Sequence, residues 1–215
     1  MNNQSAMDNE KLSAVLHKYL PAQAVPWAVQ KLKYHGIQLR ITGFRQSKLG
    51  DYRPPKAGEP HKISINYNLN PQSFAVTLVH EVAHLETHLR YGHSVAPHGP
   101  QWQERYAILL REVGMLGAFS PEVFEYMAKS GFRHGATACS DPHLLRLLRK
   151  YDTPWVSGLK LLEQLAPGDC FITAGGRLFR KGPLRRTKYV CTCLRTGREY
   201  LIHYMTEVRP LNQKV

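Results

Sequence analysis

His80-Glu81-Val82-Ala83-His84 is the stretch whose residue types and spacing could do chemistry. Two histidines four residues apart lie one turn above each other on a single helix face. They can therefore offer two imidazole nitrogens to one metal ion. Glu81 lies about 100° further round the same helix, beside such an ion rather than under it. A carboxylate placed there can hold a water and take its proton. HExxH is the pattern of a zinc hydrolase, provided that a helix carries it and a third ligand reaches the same ion.

The flanking residues supply the helix. Asn70 suits the N-cap and Pro71 the first helical position, where its missing N–H is not needed. Gly92 is a natural stop. Phe74, Ala75, Val76, Leu78, Val79, Val82, Ala83, Leu85 and Leu89 cover a broad apolar arc, and Thr77, His80, Glu81, His84 and His88 occupy the remaining strip. A helix apolar nearly all round runs through a core. Polar groups on its one polar strip need partners there, and a metal is one such partner.

A catalytic zinc has three protein ligands and an open position. Three residues compete for the third place. His88 is one turn beyond His84, but a rigid helix rarely wraps three turns onto one ion. Glu104 stands at a long spacing after His84. His98 lies in Ala96-Pro97-His98-Gly99-Pro100, held stiffly between prolines, and is favoured. Position 87 is Thr rather than Gly, so the metzincin pattern is absent.

His80-Glu81-Val82-Ala83-His84 followed by His98-Gly99-Pro100-x-Trp102, with Asn66-Tyr67-Asn68-Leu69-Asn70-Pro71 before the helix, resembles the SprT-like metalloprotease domain, the family that includes Spartan. The likeness spans roughly Leu12 to Leu116. It implies an α+β fold of the minimal zincin-like kind, with helices, a small sheet and the HExxH helix. It implies one Zn2+ per chain, held by His80, His84 and His98, with Glu81 as catalytic base. Family members of established activity cut proteins crosslinked to DNA and depend on DNA, so DNA-protein crosslink repair is the implied setting. Many members end in a zinc ribbon, and here this chain departs from them.

The 215 residues allow one medium domain and a small one. No run of eighteen apolar residues exists and no signal pattern opens the chain, so a cytoplasmic protein without a membrane partner is expected. Cys139, Cys170, Cys191 and Cys193 form no regular framework and read as free thiols. The net charge of +13 favours a polyanionic partner, nucleic acid first. From Cys170 onward ten Lys or Arg stand against two acids, so the charge is concentrated there.

Helical spacing predicts helices over 8–20 and 22–35, then a half-buried strand at Ile37, Leu39 and Ile41. Residues 48–61 read as a loop broken by Gly50, Pro54, Pro55, Gly58 and Pro60, in which Asp51-Tyr52-Arg53-Pro54 could form a substrate-facing lid. A second strand, 62–69, leads into the metal helix. Further helices follow at 99–116, 121–129 and 141–151, with a polar loop at 131–140 whose His134 is a weak metal candidate. Beyond 166 the period turns to alternation, with hairpin signals at Ala174-Gly175-Gly176 and Arg195-Thr196-Gly197 and a short last strand at Glu207-Val208. The expected domains are a SprT-like catalytic domain at 1–118, a helical extension and linker at 119–165, and a small basic all-β module at 166–215, SH3-like or an open barrel. A ribbon needs two cysteine pairs, and only Cys191-x-Cys193 is present.

These readings combine into a zinc-dependent endopeptidase placed on DNA-bound or DNA-crosslinked protein substrates by its β module. Arg177, Arg180, Lys181, Arg185, Arg186 and Lys188 are the expected phosphate contacts, and no element offers base readers, so binding should be largely sequence-independent. Phe179 and Tyr189 are candidates for stacking on bases, and Tyr52 and His88 for stabilising an oxyanion. The alternatives are a zinc-containing nucleic-acid-binding adaptor without peptidase activity, and a hydrolase of non-protein substrates.

Overall fold

A computed structural model describes residues 3–45, 48–56, 58–132, 141–152 and 158–211, with side chains from residue 10 onward. His134, Cys139 and the linker at 153–157 lie outside the described residues. The chain mixes helices and sheets and divides into two compact units, Met1–Asp152 and Thr153–Val215. No helix among the described residues is long and apolar enough to cross a membrane.

The first unit runs α1 (Asn3–Leu16), α2 (Val25–Tyr34), β1 (Ile37–Thr42), β2 (Gly50–Arg53), β3 (His61–Asn66), α3 (Pro71–Tyr91), α4 (Pro100–Met115), α5 (Pro121–Lys129) and α6 (Pro142–Arg149). Asn70 caps α3 as its type predicts: its Oδ1 accepts from the Ser73 N–H at 2.9 Å. Gly92 ends the helix with a φ of 59°. The apolar arc of α3 is buried from Phe74 through Leu85 on every core-facing position.

The small sheet has β3 at its centre, parallel to β1 and antiparallel to β2. β2 lies within the stretch read as a loop. Only four residues long, opened by a glycine and closed by Pro54-Pro55, it carries no alternation that a sequence window can detect. Fully buried Asn66 fixes where it begins. Its Nδ2 donates to the carbonyls of Arg45 and Lys48 at 3.0 and 3.1 Å, and its backbone N–H donates to Leu49 O at 2.9 Å. The Arg45 guanidinium completes the knot, donating to Asn66 Oδ1 at 2.8 Å and Ser64 Oγ at 3.0 Å.

α5 and α6, expected as an extension beyond a domain ending at 118, share the core of the metal helix. Val123, Met127, Leu144 and Leu148 are buried in the same cluster as Phe74 and Val79. Polar ties hold them there. Asn70 Nδ2 donates to Leu148 O at 2.9 Å and to Asp152 Oδ1 at 2.6 Å, and the Ser120 N–H donates to Gln72 Oε1 at 2.8 Å.

The second unit is an antiparallel sheet of β4 (Lys160–Leu161), β5 (Cys170–Thr173), β6 (Leu178–Arg185), β7 (Lys188–Cys193), β8 (Glu199–His203) and β9 (Glu207–Pro210), in the order β4-β9-β5-β6-β7-β8. The hairpins at Gly175-Gly176 and Thr196-Gly197 fall where the turn residues predict them. Phe171, Phe179, Cys191, Cys193, Leu162, Leu165 and Val208 make a small core. Cys191 and Cys193 point to one face of β7, as alternation requires, and that face is the interior. With Cys170 they are free thiols.

Candidate metal centre

Three histidines converge at the polar strip of α3, His80 buried and His84 and His98 half-buried. The Nε2 atoms of His80 and His84 lie 3.0 Å apart, those of His84 and His98 2.9 Å, and those of His98 and His80 3.2 Å. Neutral imidazole has one donor and one acceptor nitrogen, so three nitrogens aimed at one point cannot satisfy one another by hydrogen bonds. A cation at their centre can satisfy all three. Nitrogens about 2.0–2.1 Å from a tetrahedral ion stand about 3.3 Å apart, close to the observed spacing. The residues present therefore fit a metal ion with three imidazole ligands, and this is the one such group among the described residues.

The electrostatics agree with the geometry. Burial, with the neighbouring His84 and His98, pushes His80 down to about 3. Burial and His98 push His84 down to about 4, and burial lowers His98. Metal ligation requires neutral imidazole, so the rings are held in the binding form.

His98 reaches the site at a backbone cost. Its φ is 58°, a left-handed conformation that costs a non-glycine residue about 1–2 kcal/mol. Gln103 Nε2 bonds the His98 carbonyl at 2.9 Å and the Gly99 N–H bonds Ala96 O at 3.0 Å, which fix the turn. Glu104 is exposed and lines a groove with Ile108, Arg111 and Met115 instead. His88 faces His93 and Tyr52, with ring centroids 4.9 and 6.1 Å away.

Trp102, expected in the core, is there and also wedges the triad. Its ring lies 4.7 Å from His80, 5.1 Å from His84 and 4.6 Å from His98, and it stacks on Tyr106 at 4.8 Å. Glu86 locks α4 to α3 from behind, accepting from Arg105 and, at 3.0 Å, from Lys31 of α2. Burial alone would raise the Glu86 carboxyl, but these hydrogen bonds outweigh it and hold it below the usual range.

Glu81 is buried beside the triad on the same helix, and burial pushes its carboxyl up to about 8, with the nearby Tyr52 backbone opposing the rise. Tyr52 Oη meets His61 Nδ1 at 3.0 Å, and burial raises the phenol to about 12. Sequence reasoning missed the part of β2 in this arrangement, because the strand was hidden among loop-forming residues.

Residues 22–116 match the family model described as SprT-like family. This stretch is similar to the SprT-like domain, and the likeness suggests a metalloprotease-type function. No curated protein and no solved structure matches the chain. The matched stretch holds all of the triad and Glu81, and ends at α4. That stretch is thus covered by α5 and α6 from outside the matched residues.

In the second unit the expected phosphate contacts divide. Arg177, Arg180, Arg185, Arg186 and Lys188 are exposed. Arg185 stands opposite Lys188 across the hairpin, and Arg186 turns it with a φ of 58°. Lys181 corrects the expectation. It is 4% exposed, its Nζ bonds the carbonyls of Glu163 and Leu165, and its ammonium sits 3.9 Å from the Tyr189 ring centroid. β-strand alternation turns it inward, opposite Cys191. Phe179 is likewise a core residue, 1% exposed, rather than a stacking platform.

Proposed function

We propose that the chain is a zinc-dependent endopeptidase that acts on DNA-bound or DNA-crosslinked proteins. The convergence of three histidine Nε2 atoms beside a buried carboxylate carries this reading. His80, His84 and His98 would hold the ion, and a bound zinc supplies a Lewis acid for the scissile carbonyl and for water. Glu81 takes the proton of the attacking water and passes it to the leaving amine. A carboxylate held beside the attacking water is placed for that exchange.

The sheet edge at β2 supports a protein substrate. β2 pairs with β3 on one side only, so the backbone groups of its other side, apart from the Tyr52 N–H beside Glu81, can meet an extended chain. Recognition through backbone suits targets of many sequences. A closed structural metal site would need a fourth protein ligand. Only three groups converge among the described residues, which favours an enzyme over an adaptor.

The deciding experiment incubates the protein with a DNA-crosslinked test protein, with and without DNA, beside a Glu81→Gln control. Cleavage that needs Glu81 supports the reading, and cleavage indifferent to Glu81 overturns it. The DNA contact is assigned to the exposed cations of β6 and β7. Like charges directly opposite each other destabilise a bare hairpin, so Arg185 and Lys188 flanking Arg186 suit an anionic partner. α6 is a weaker candidate, because its neighbour Lys150 is paired with Glu122 at 2.6 Å. Reversing Arg185 and Arg186 to Glu lowers affinity for all DNA sequences alike and flattens the dependence of log affinity on log salt by about 2. Affinity and slope equal to wild type in a salt titration would move the contact elsewhere. Zinc content stays unchanged.

A further inference from the structure

Gly50 opens β2 without a positive φ, so conformational freedom does not explain the glycine. Space does. A Cβ at this position would overlap Glu81 Oε1, and would lie 2.9 Å from Glu81 Cδ and 2.7 Å from Thr77 Cγ2. Real Cβ atoms do not approach other atoms so closely. The bare Cα of Gly50 is the wall against which the Glu81 side chain rests. Two residues on, the Tyr52 backbone N–H lies near enough to the same carboxylate to favour its charged form. The strand that provides both is itself pinned at its start by buried Asn66 and by Arg45.

We propose that Gly50 is a positioning residue for Glu81: the absence of a side chain there sets the place of the carboxylate and keeps it beside the Tyr52 N–H. The inference rests on the reading of Glu81 as the base. A methyl group at position 50 meets first the far end of a flexible side chain rather than backbone. Glu81 therefore swings away while the fold stays. The triad histidines, which a methyl group at position 50 does not meet, keep their place.

The test uses Gly50→Ala in the full chain. In the metal-free protein, the Tyr52 amide resonance shifts by nuclear magnetic resonance from its wild-type position toward that in Glu81→Ala. Adding Gly50→Ala to Glu81→Ala shifts it no further. In the zinc-loaded protein, kcat falls about a hundredfold with KM little changed, and zinc stoichiometry is that of wild type. Gly50→Ala with Thr77→Ser keeps the experiment decisive should the single variant fold poorly. That pair removes the stiff methyl contact and preserves the Thr77 hydroxyl bond to Ser73 O, yet leaves Glu81 displaced and turnover low. A Tyr52 amide at its wild-type position in both variants overturns the proposal. A displaced amide with undiminished turnover upholds Gly50 as the support of Glu81 and overturns Glu81 as the base.

Discussion

Glu81→Gln lowers peptide-bond hydrolysis by about 10²–10⁴-fold and leaves one equivalent of bound zinc. The amide keeps the volume and one acceptor oxygen, so the buried site beside Gly50 stays filled, but it cannot accept the proton of water. His80→Ala, His84→Ala and His98→Ala each lose most of the metal, because two imidazoles do not hold a zinc ion as three do. Cys191→Ser combined with Cys193→Ser leaves the content at one equivalent, since among the described residues no ligand set surrounds those thiols. Metal analysis of the purified variants checks all of this. Full zinc in His98→Ala would remove the third ligand from the assignment, and a loss of one equivalent in the double cysteine variant would place a second metal in the β module.

A fragment ending at residue 118 does not fold, whereas one ending at 152 melts cooperatively. The cut at 118 removes Val123, Met127, Leu144 and Leu148, each at most 1% exposed, and with them Phe119 and Phe132. At about 1.5–3 kcal/mol for each buried side chain, these contribute on the order of 10 kcal/mol, comparable to the whole margin of a domain of this size. The cut also strips the acceptors of Asn70 Nδ2 at the start of the metal helix. Circular dichroism of the two fragments decides the matter. A fragment 1–118 that melts within a few degrees of the longer one would show that α5 and α6 are dispensable.

Much of this was legible in the residues themselves. Helix α3 announced itself through Asn70, Pro71, Gly92 and an apolar arc interrupted only by the strip that carries Thr77, Glu81 and the histidines. His98 could be favoured because Pro97 and Gly99 mark a stiff turn, and the turn proves stiff enough to hold a left-handed histidine. The ends of the hairpins followed from their glycines. What could not be read was anything set by contacts between distant segments. Lys181 sits in a run of cations, and the carbonyls of Glu163 and Leu165 that receive it inside the sheet belong to a segment sixteen or more residues earlier. The union of α5 and α6 with the metal helix depends on Asn70 meeting Leu148, seventy-eight residues away. β2 is strand only because β3 lies beside it.

The shortness of β2 sets a footprint. Four residues span about 13 Å, and Pro54 and Pro55 lack the N–H groups that would carry a ladder past Arg53. A polypeptide docking along this edge must release about that length from its own secondary structure before it can lie down. A tightly folded target offers no such stretch, while a frayed, tethered or partly denatured one does. Selectivity of this kind is set by the local unfolding equilibrium of the target rather than by its side chains.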